Sequence, residues 1–374
     1  MSVLTACANA QTKIPAIDER MSAFIAQKEI AGAVTLVADR ERVLHVSAVG
    51  QADVAANRAM QVDDIMWIAS MSKPITATAL MMLQDDGKLS IDDPISKYIP
   101  EFANLKTPSG KPANLTLRHC MTHTSGLGEA SGEQSKAAKT LADLIPAFLA
   151  NPMSFEPGAK WQYCQSGINT AARVAEIASG QSFPELLQTR LFTPLGMKDT
   201  TFYLSEEQAK RLAKSYKMAN GPLEEVPVFI LDGKPATSRD RYPAANGGLF
   251  STAADYARFC QMILSGGQLD GRRYLKPETV KLMTTIQTGD IKTGFTEGNG
   301  WGIGWCVVRQ PQGVTAMVSP GTHGHGGAYG TQAWIDPVKG RIYILMVQRA
   351  NFPNADNSDV RKAFQQAAVE ALQK

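Results

Sequence analysis

With 374 residues, 38 basic and 35 acidic side chains, and a formal charge of +3, the chain lacks the charge excess of a nucleic-acid-binding protein. A hydrophobic content of 44% and a charged content of 20% exclude a disordered chain, a collagen and a coiled coil. The length fits two to three domains, and no apolar stretch reaches the ~18 residues of a membrane-spanning helix. These properties point to a soluble globular protein and, with so many glycines to place, to an enzyme.

In chain order, residues 1–11 hold Ala8-Asn9-Ala10, a small-x-small pattern, and Leu4-Thr5-Ala6-Cys7, similar to a lipoprotein acylation site, without a charged leader or a long apolar stretch. Two readings stay open: the remnant of an export signal, implying a periplasmic or secreted protein, or the plain terminus of a cytoplasmic one. Ile14, Ile17, Met21, Phe24 and Ile25 then recur at helical spacing. Runs rich in β-branched residues at 31–38 and 42–50 predict a β-hairpin. The middle of the chain reads as helices at 72–85, 116–122, 140–150, 167–179, 183–191, 205–214 and 252–265, punctuated by Pro-Gly, Asp-Gly and Gly-Gly. Strands are expected at 301–309, 314–319, 328–336 and 341–348, and a helix at 358–372.

Strands at both ends with helices between them predict an α+β fold, with one antiparallel sheet built from both chain ends and flanked by helices. A mostly helical lobe, 66–239, is inserted into a discontinuous α/β lobe, 12–65 and 240–374, and a cleft between the lobes is the expected ligand site. The five cysteines are scattered, with no CxxC pair, which excludes a zinc ribbon and gives no disulfide framework. His119 and His123 at i, i+4 and the pair His323 and His325 invite a metal reading. No HExxH pattern accompanies them, so a structural role is expected for His119 and His123, and no metal or other cofactor is expected.

The sharpest local feature is Ser70-Met71-Ser72-Lys73, which opens an apolar helix ending at Asp85-Asp86-Gly87, with Gly87 placed as a C-terminal cap. On a helix, positions i and i+3 share a face with about 4.5 Å of rise between them. Ser70 would then meet backbone N–H groups at the helix start, and Lys73 could take the hydroxyl proton. Alone, this spacing arises often by chance and also fits a serine cap followed by a surface lysine.

Its company gives it meaning. Residues 68–100 resemble the first motif region of the penicillin-recognising serine hydrolases, a superfamily that includes class C β-lactamases, D-alanyl-D-alanine carboxypeptidases and β-lactamase-like (family VIII) esterases. The resemblance continues in order through Leu117–Leu127, Phe155–Tyr163, Phe192–Thr200 and Gly247–Asp255, covering most of residues 20–370. It implies a β-lactamase-like fold, with Ser70 as nucleophile and Lys73 and Tyr163 as the groups that move protons. A tyrosine serves as a base only if its pKa of ~10 is pulled down, which a neighbouring lysine cation would do.

The second motif of the superfamily, Tyr-x-Asn, reads Tyr163-Cys164-Gln165 here. The glutamine keeps an amide that could bond Lys73 or substrate, displaced by one methylene. The third motif, Lys/His-Thr-Gly, aligns with His325-Gly326-Gly327, and the resemblance implies an oxyanion hole made by the N–H groups of Ser70 and Ala328. Gly326 stands where relatives carry the threonine that helps bind a β-lactam carboxylate, so binding of β-lactams is expected to be weak. Arg349, Asn354 and Arg361 fall loosely where relatives place carboxylate-recognising groups, interrupted by an insertion at 355–359, and arginines here are otherwise expected to be solvated at the surface.

The reading is a serine hydrolase that forms an acyl-enzyme, first of all a carboxylesterase with weak or no β-lactamase activity. Its partners would be small-molecule esters, amides or β-lactams, with no nucleic acid and no membrane span. The rivals are a β-lactamase, D-alanyl-D-alanine carboxypeptidase or D-aminopeptidase, and a non-catalytic penicillin-binding-like protein.

Overall fold

The structure is a computed structural model that describes residues 13–218 and 221–373; the export-signal motifs of residues 1–11 lie outside it. Its centre is one antiparallel sheet of eight strands. Helix α1 (Pro15–Ala26) leads into β1 (Gly32–Ala38), β2 (Val43–Asp53) and the short β3 (Arg58–Ala59). After a long helical stretch the sheet resumes with β4 (Asn299–Trp301), β5 (Cys306–Val308), β6 (His323–Gly326), β7 (Gln332–Asp336) and β8 (Arg341–Met346). The spatial order is β4-β5-β6-β7-β8-β1-β2-β3, so the two chain ends meet in the middle, where Val34 pairs with Met346.

Side chains alternate across the sheet as strand geometry requires. Ala33 and Val37 of β1 and Tyr343 and Leu345 of β8 join Ile17 and Met21 of α1 and Phe364 and Ala368 of the C-terminal helix Asp359–Leu372 in one core. Val34 and Leu36, with Ile342, Ile344 and Met346, face the opposite way, onto helix Ala253–Leu264 and the larger core around it. Both faces are covered, which is why β1 is buried throughout and reads as a continuous apolar run.

The middle of the chain is helical as expected, with Ser72–Asp85 and Gln165–Ser179 its two long helices. The helix expected at 205–214 is only Glu206–Lys210. The run 301–309 is no single strand: the chain reverses through Gly304, at φ 74°, so that Trp301 pairs with Cys306 in a hairpin. A Cβ on Gly304 would press on Ala77 Cβ at 2.5 Å, so this turn sits directly on the Lys73 helix. The strand expected at 314–319 is absent. Thr315 Oγ1 instead accepts from Gln312 N (3.0 Å) and stabilises a 3₁₀ turn, Gly313–Thr315, a local bond that competes with strand pairing. The strand there is β6, half glycine, which propensity does not flag. Residues 328–331 form a turn, and β7 begins at Gln332.

Candidate active site

The backbone sets the position of Ser70. A 3₁₀ turn, Ala69–Met71, feeds the helix Ser72–Asp85, so Ser70 lies one turn before the regular helix. Ala69 is held at φ 45°, a left-handed conformation that costs an alanine of the order of 1–2 kcal/mol. Neighbouring contacts hold it there: Ser72 Oγ donates to Ala69 O (2.7 Å) and accepts from Leu249 N (3.2 Å).

Lys73 is fully buried. Its Nζ donates to Ser70 Oγ at 3.0 Å and to Asn246 O at 2.7 Å, and it sits 4.5 Å from the centroid of the Tyr163 ring. Burial pulls its pKa down to about 7, against the opposing pull of Glu129, Cys164 and Asp356. The amine is therefore partly neutral near neutrality, in contact with the hydroxyl it would deprotonate.

Tyr163 departs from the expectation of a lowered pKa. Burial pushes its hydroxyl well above the usual range, and only the Ser70 hydroxyl pulls notably the other way. Desolvation is the largest influence on it, with the nearby Asp356 and Cys306 pushing the same way. The phenol is 3.4 Å from His325 Nε2, and its ring stacks on His123 with centroids 4.4 Å apart.

Gln165 does not bond Lys73. Its side-chain carbonyl accepts from Asn246 Nδ2 at 2.9 Å, and the Asn246 backbone carbonyl is what receives the lysine. The extra methylene thus moves the amide one residue away from the amine. Glu129 completes this corner by accepting from Gln165 N (2.5 Å), Ser166 N (3.0 Å) and Ser166 Oγ (2.6 Å) at the start of helix Gln165–Ser179, where a carboxylate is favoured. Asn246 and Glu129 were not among the candidates. Asn246 directly precedes the Gly247-Gly248 motif, and that adjacency was its only signal.

Strand β6 forms the other wall. His325 is buried, its Nδ1 against Gly326 O at 2.7 Å, and burial lowers its pKa to about 3, so it is a neutral ring. Gly327 N donates to Thr331 O (2.7 Å), and a Cβ on Gly327 would fall 2.6 Å from Ile68 O, which draws the strand's end against the segment carrying Ser70. Ala328 follows in the turn, exposed, and its N–H makes no backbone hydrogen bond among the described residues.

At Gly326 a side chain would have to displace its neighbours: a Cβ there would land on Asp356 Oδ1 and 2.5 Å from Gln332 Nε2. Gly326→Thr, which rewrites the third motif in its usual form, is therefore expected to destabilise the fold by about 1–3 kcal/mol through overpacking. A thermal melt checks this, and an unchanged midpoint would show that Asp356 swings aside freely.

The remaining candidates have structural duties. Arg349 pairs with Glu29 at 2.7 Å, and Asn354 Nδ2 donates to Phe295 O at 2.7 Å. Arg361 is fully buried, stacked 3.9 Å from the Trp334 ring centroid and donating to Asp356 O at 2.6 Å. The expectation of solvated arginines at 349 and 361 is thus overturned, because aromatic faces and carbonyls replace their water. His119 Nδ1 completes the Thr116 cap, and His123 Nδ1 accepts from Cys164 N at 3.1 Å. His323 Nδ1 lies 3.0 Å from Gly321 O, and its ring packs edge-on against Trp305. No helix among the described residues is long and apolar enough to cross a membrane.

Beside Tyr163, Gln165 and Asn246 opens a cavity of about 540 Å³, with Phe148, Leu144 and Leu231 among its apolar walls and Phe229, 76% exposed, at its lip.

Comparison with known proteins identifies relatives over most of the chain. Protein Rv1367c of Mycobacterium tuberculosis is 33% identical over 348 residues, covering 85% of this chain and 86% of that protein. Esterase EstB of Burkholderia gladioli is 28% identical over 369 residues, covering 89% and 90%. Among solved structures, EstCE1, described as a hydrolase with promiscuous acyltransferase activity, superposes with a TM-score of 0.80 at 22% identity, covering 95% of this chain and 97% of that one, and so shares the fold. A family model described as Beta-lactamase matches residues 17–368, and the chain therefore belongs to the Beta-lactamase family, within the penicillin-recognising serine hydrolases.

Proposed function

We propose that this serine hydrolase is a carboxylesterase acting on small neutral esters through an acyl-enzyme on Ser70. The observation that carries the reading is the Lys73 amine, fully buried, depressed to about 7 and 3.0 Å from Ser70 Oγ. A neutral amine there is a competent base, and a serine beside a base is the arrangement nucleophilic catalysis requires.

In the proposed sequence, Ser70 Oγ adds to the ester carbonyl carbon as its proton passes to Lys73 Nζ. The N–H groups of Ser70 and Ala328 take up the charge on the carbonyl oxygen. Collapse breaks the bond to the leaving alkoxide. Tyr163, whose raised pKa suits it to keep and hand on a proton rather than to act as a free phenolate, passes a proton to that alkoxide and is refilled from the Lys73 ammonium. A water then adds to the acyl carbon with Lys73 again as base, releasing the carboxylic acid and restoring Ser70. The cavity beside Tyr163, with Leu144, Phe148 and Leu231 in its walls beside charged Lys136, Lys234 and Arg241, offers apolar surface to an acyl group, and the side-chain-free wall at Gly326 offers no hydroxyl for a β-lactam carboxylate.

The test sets a short-chain p-nitrophenyl ester beside a chromogenic cephalosporin, with intact-mass analysis after fluorophosphonate treatment. Ester turnover well above cephalosporin turnover, with the adduct on Ser70, is the expected result. Faster cephalosporin turnover would make the protein a β-lactamase, and neither turnover nor adduct would make it a non-catalytic relative.

A further inference from the structure

One carboxylate beside this cleft is unused by the proposed chemistry. Asp356 sits on a 3₁₀ turn, Ala355–Asn357, in the segment that reads as an insertion. The turn is fastened from three sides. Asp356 N donates to Asn354 Oδ1 (3.1 Å), Gln332 Nε2 donates to Ala355 O (3.1 Å), and Arg361 Nη1 donates to Asp356 O (2.6 Å). These bonds deliver the Asp356 side chain to β6, where Oδ1 stands in the volume that the first side-chain atom at position 326 would fill.

The charge is poorly neutralised at contact distance. Oδ1 accepts one hydrogen bond, from Gln332 Nε2 at 3.2 Å, and Oδ2 accepts none from the described residues. Arg361 donates to the Asp356 backbone carbonyl and to Gln365, lies with its face on Trp334 and makes no ion pair with the carboxylate; burial raises the Asp356 carboxyl above its usual range, opposed by the charge of Arg361, the Gln332 hydrogen bond and Lys73. Asp356 is half-buried. Its charge is felt at Lys73 and at Tyr163, which places it within electrostatic range of the reacting centre.

We propose that Asp356 is a specificity-determining residue, a fixed negative charge that sets the cleft against substrates carrying a carboxylate on the leaving-group side and in favour of neutral or cationic ones. Discrimination by a repulsive element needs no contact with the favoured substrate. A like charge brought near a poorly solvated carboxylate costs enough to shift selectivity by about tenfold or more. In a β-lactam the carboxylate is carried by the ring fused at the departing nitrogen. The same residue that fills the place of the missing threonine would therefore also repel the group that threonine binds. This inference rests on the ester-hydrolase reading and adds the substrate charge to it.

The test compares phenyl acetate with 3-acetoxybenzoate, esters that differ by one carboxylate on the leaving group, at alkaline pH. Asp356→Asn keeps an acceptor for Gln332 and removes the charge. It is expected to raise the ratio of kcat/KM for the anionic over the neutral ester by about tenfold or more. A second measurement needs no variant: in the wild type, added salt should raise the anionic rate and leave the neutral rate level, as screening requires. A wild type that hydrolyses both esters with a salt-independent ratio, or an active Asp356→Asn with an unchanged ratio, overturns the charge filter and leaves the esterase reading standing. A wild type that hydrolyses neither ester and takes no fluorophosphonate on Ser70 overturns both.

Discussion

Ser70→Ala is expected to lower kcat/KM for a p-nitrophenyl ester by about 10⁴ or more, and Lys73→Met to come close to it. Nucleophile and base act as a unit, so losing either removes the covalent path and leaves only the oxyanion donors and binding. Lys73 brings a further signature. Its pKa is drawn down to about 7 by burial, so the neutral base gains about tenfold per pH unit below that point and levels off above it. The pH profile of kcat/KM should therefore rise through neutrality and flatten on the alkaline side. Lys73→Arg, whose guanidinium stays charged, should lose the activity rather than shift the limb. A wild-type profile flat from mildly acidic to mildly alkaline pH would sink the lysine-base mechanism, and full activity in Ser70→Ala would sink the acyl-enzyme.

The second large effect is on stability. His45, His123, His323 and His325 are each at most 5% exposed, and burial lowers the pKa of all four, to about 4 for His323 and about 3 for His325. Geometry reinforces this. Ile14 N donates to His45 Nδ1 (2.9 Å) and Cys164 N to His123 Nδ1 (3.1 Å), so a proton on either nitrogen would face another N–H. The unfolded chain takes up these protons near pH 6.5 while the native one refuses them, so the stability they contribute is present above 6.5 and lost as pH falls toward 4. His323 and His325 alone, at about 1.36 kcal/mol per proton and pH unit, contribute up to about 3 kcal/mol per pH unit between them, large beside a typical total of 5–15 kcal/mol. Lys73 adds the same sign higher up, stability rising between about 7 and 10.5. The melting temperature should fall steeply below pH 6, and calorimetry in buffers of different ionisation heat should register proton uptake on unfolding. A melting temperature level from pH 7 to 5 would contradict the buried-neutral assignment.

How much of this was legible in the sequence depends on the kind of signal. Period and β-branching marked β1, β2 and β8, and cap chemistry marked the Lys73 helix, because those residues answer to their immediate neighbours. β6 was misplaced, since a strand written His-Gly-His-Gly has no propensity to read and exists because β5 and β7 pair with it. The Ser70–Lys73 pairing is a three-residue relation and could be read directly. The Asn246 contact joins positions 173 residues apart, and no spacing rule reaches that far. The sign of the Tyr163 shift is not legible in the sequence, because charge can be counted from letters, whereas desolvation appears only when the chain packs. Gly326 was visible as a missing threonine, and only the structure shows a carboxylate in the vacated volume.

The central seam of the sheet also bears on how the molecule comes into being. Val34 and Met346 are partners in adjacent strands, yet 312 positions separate them. During synthesis β1 and β2 emerge with one edge unpaired, and that edge stays open until β8 is translated. Contacts of such sequence separation slow folding and prolong the exposure of sticky backbone. The wall of the cleft opposite Ser70 is β6, so a nascent chain carries Ser70 and Lys73 without that wall until His323–Gly326 has been translated.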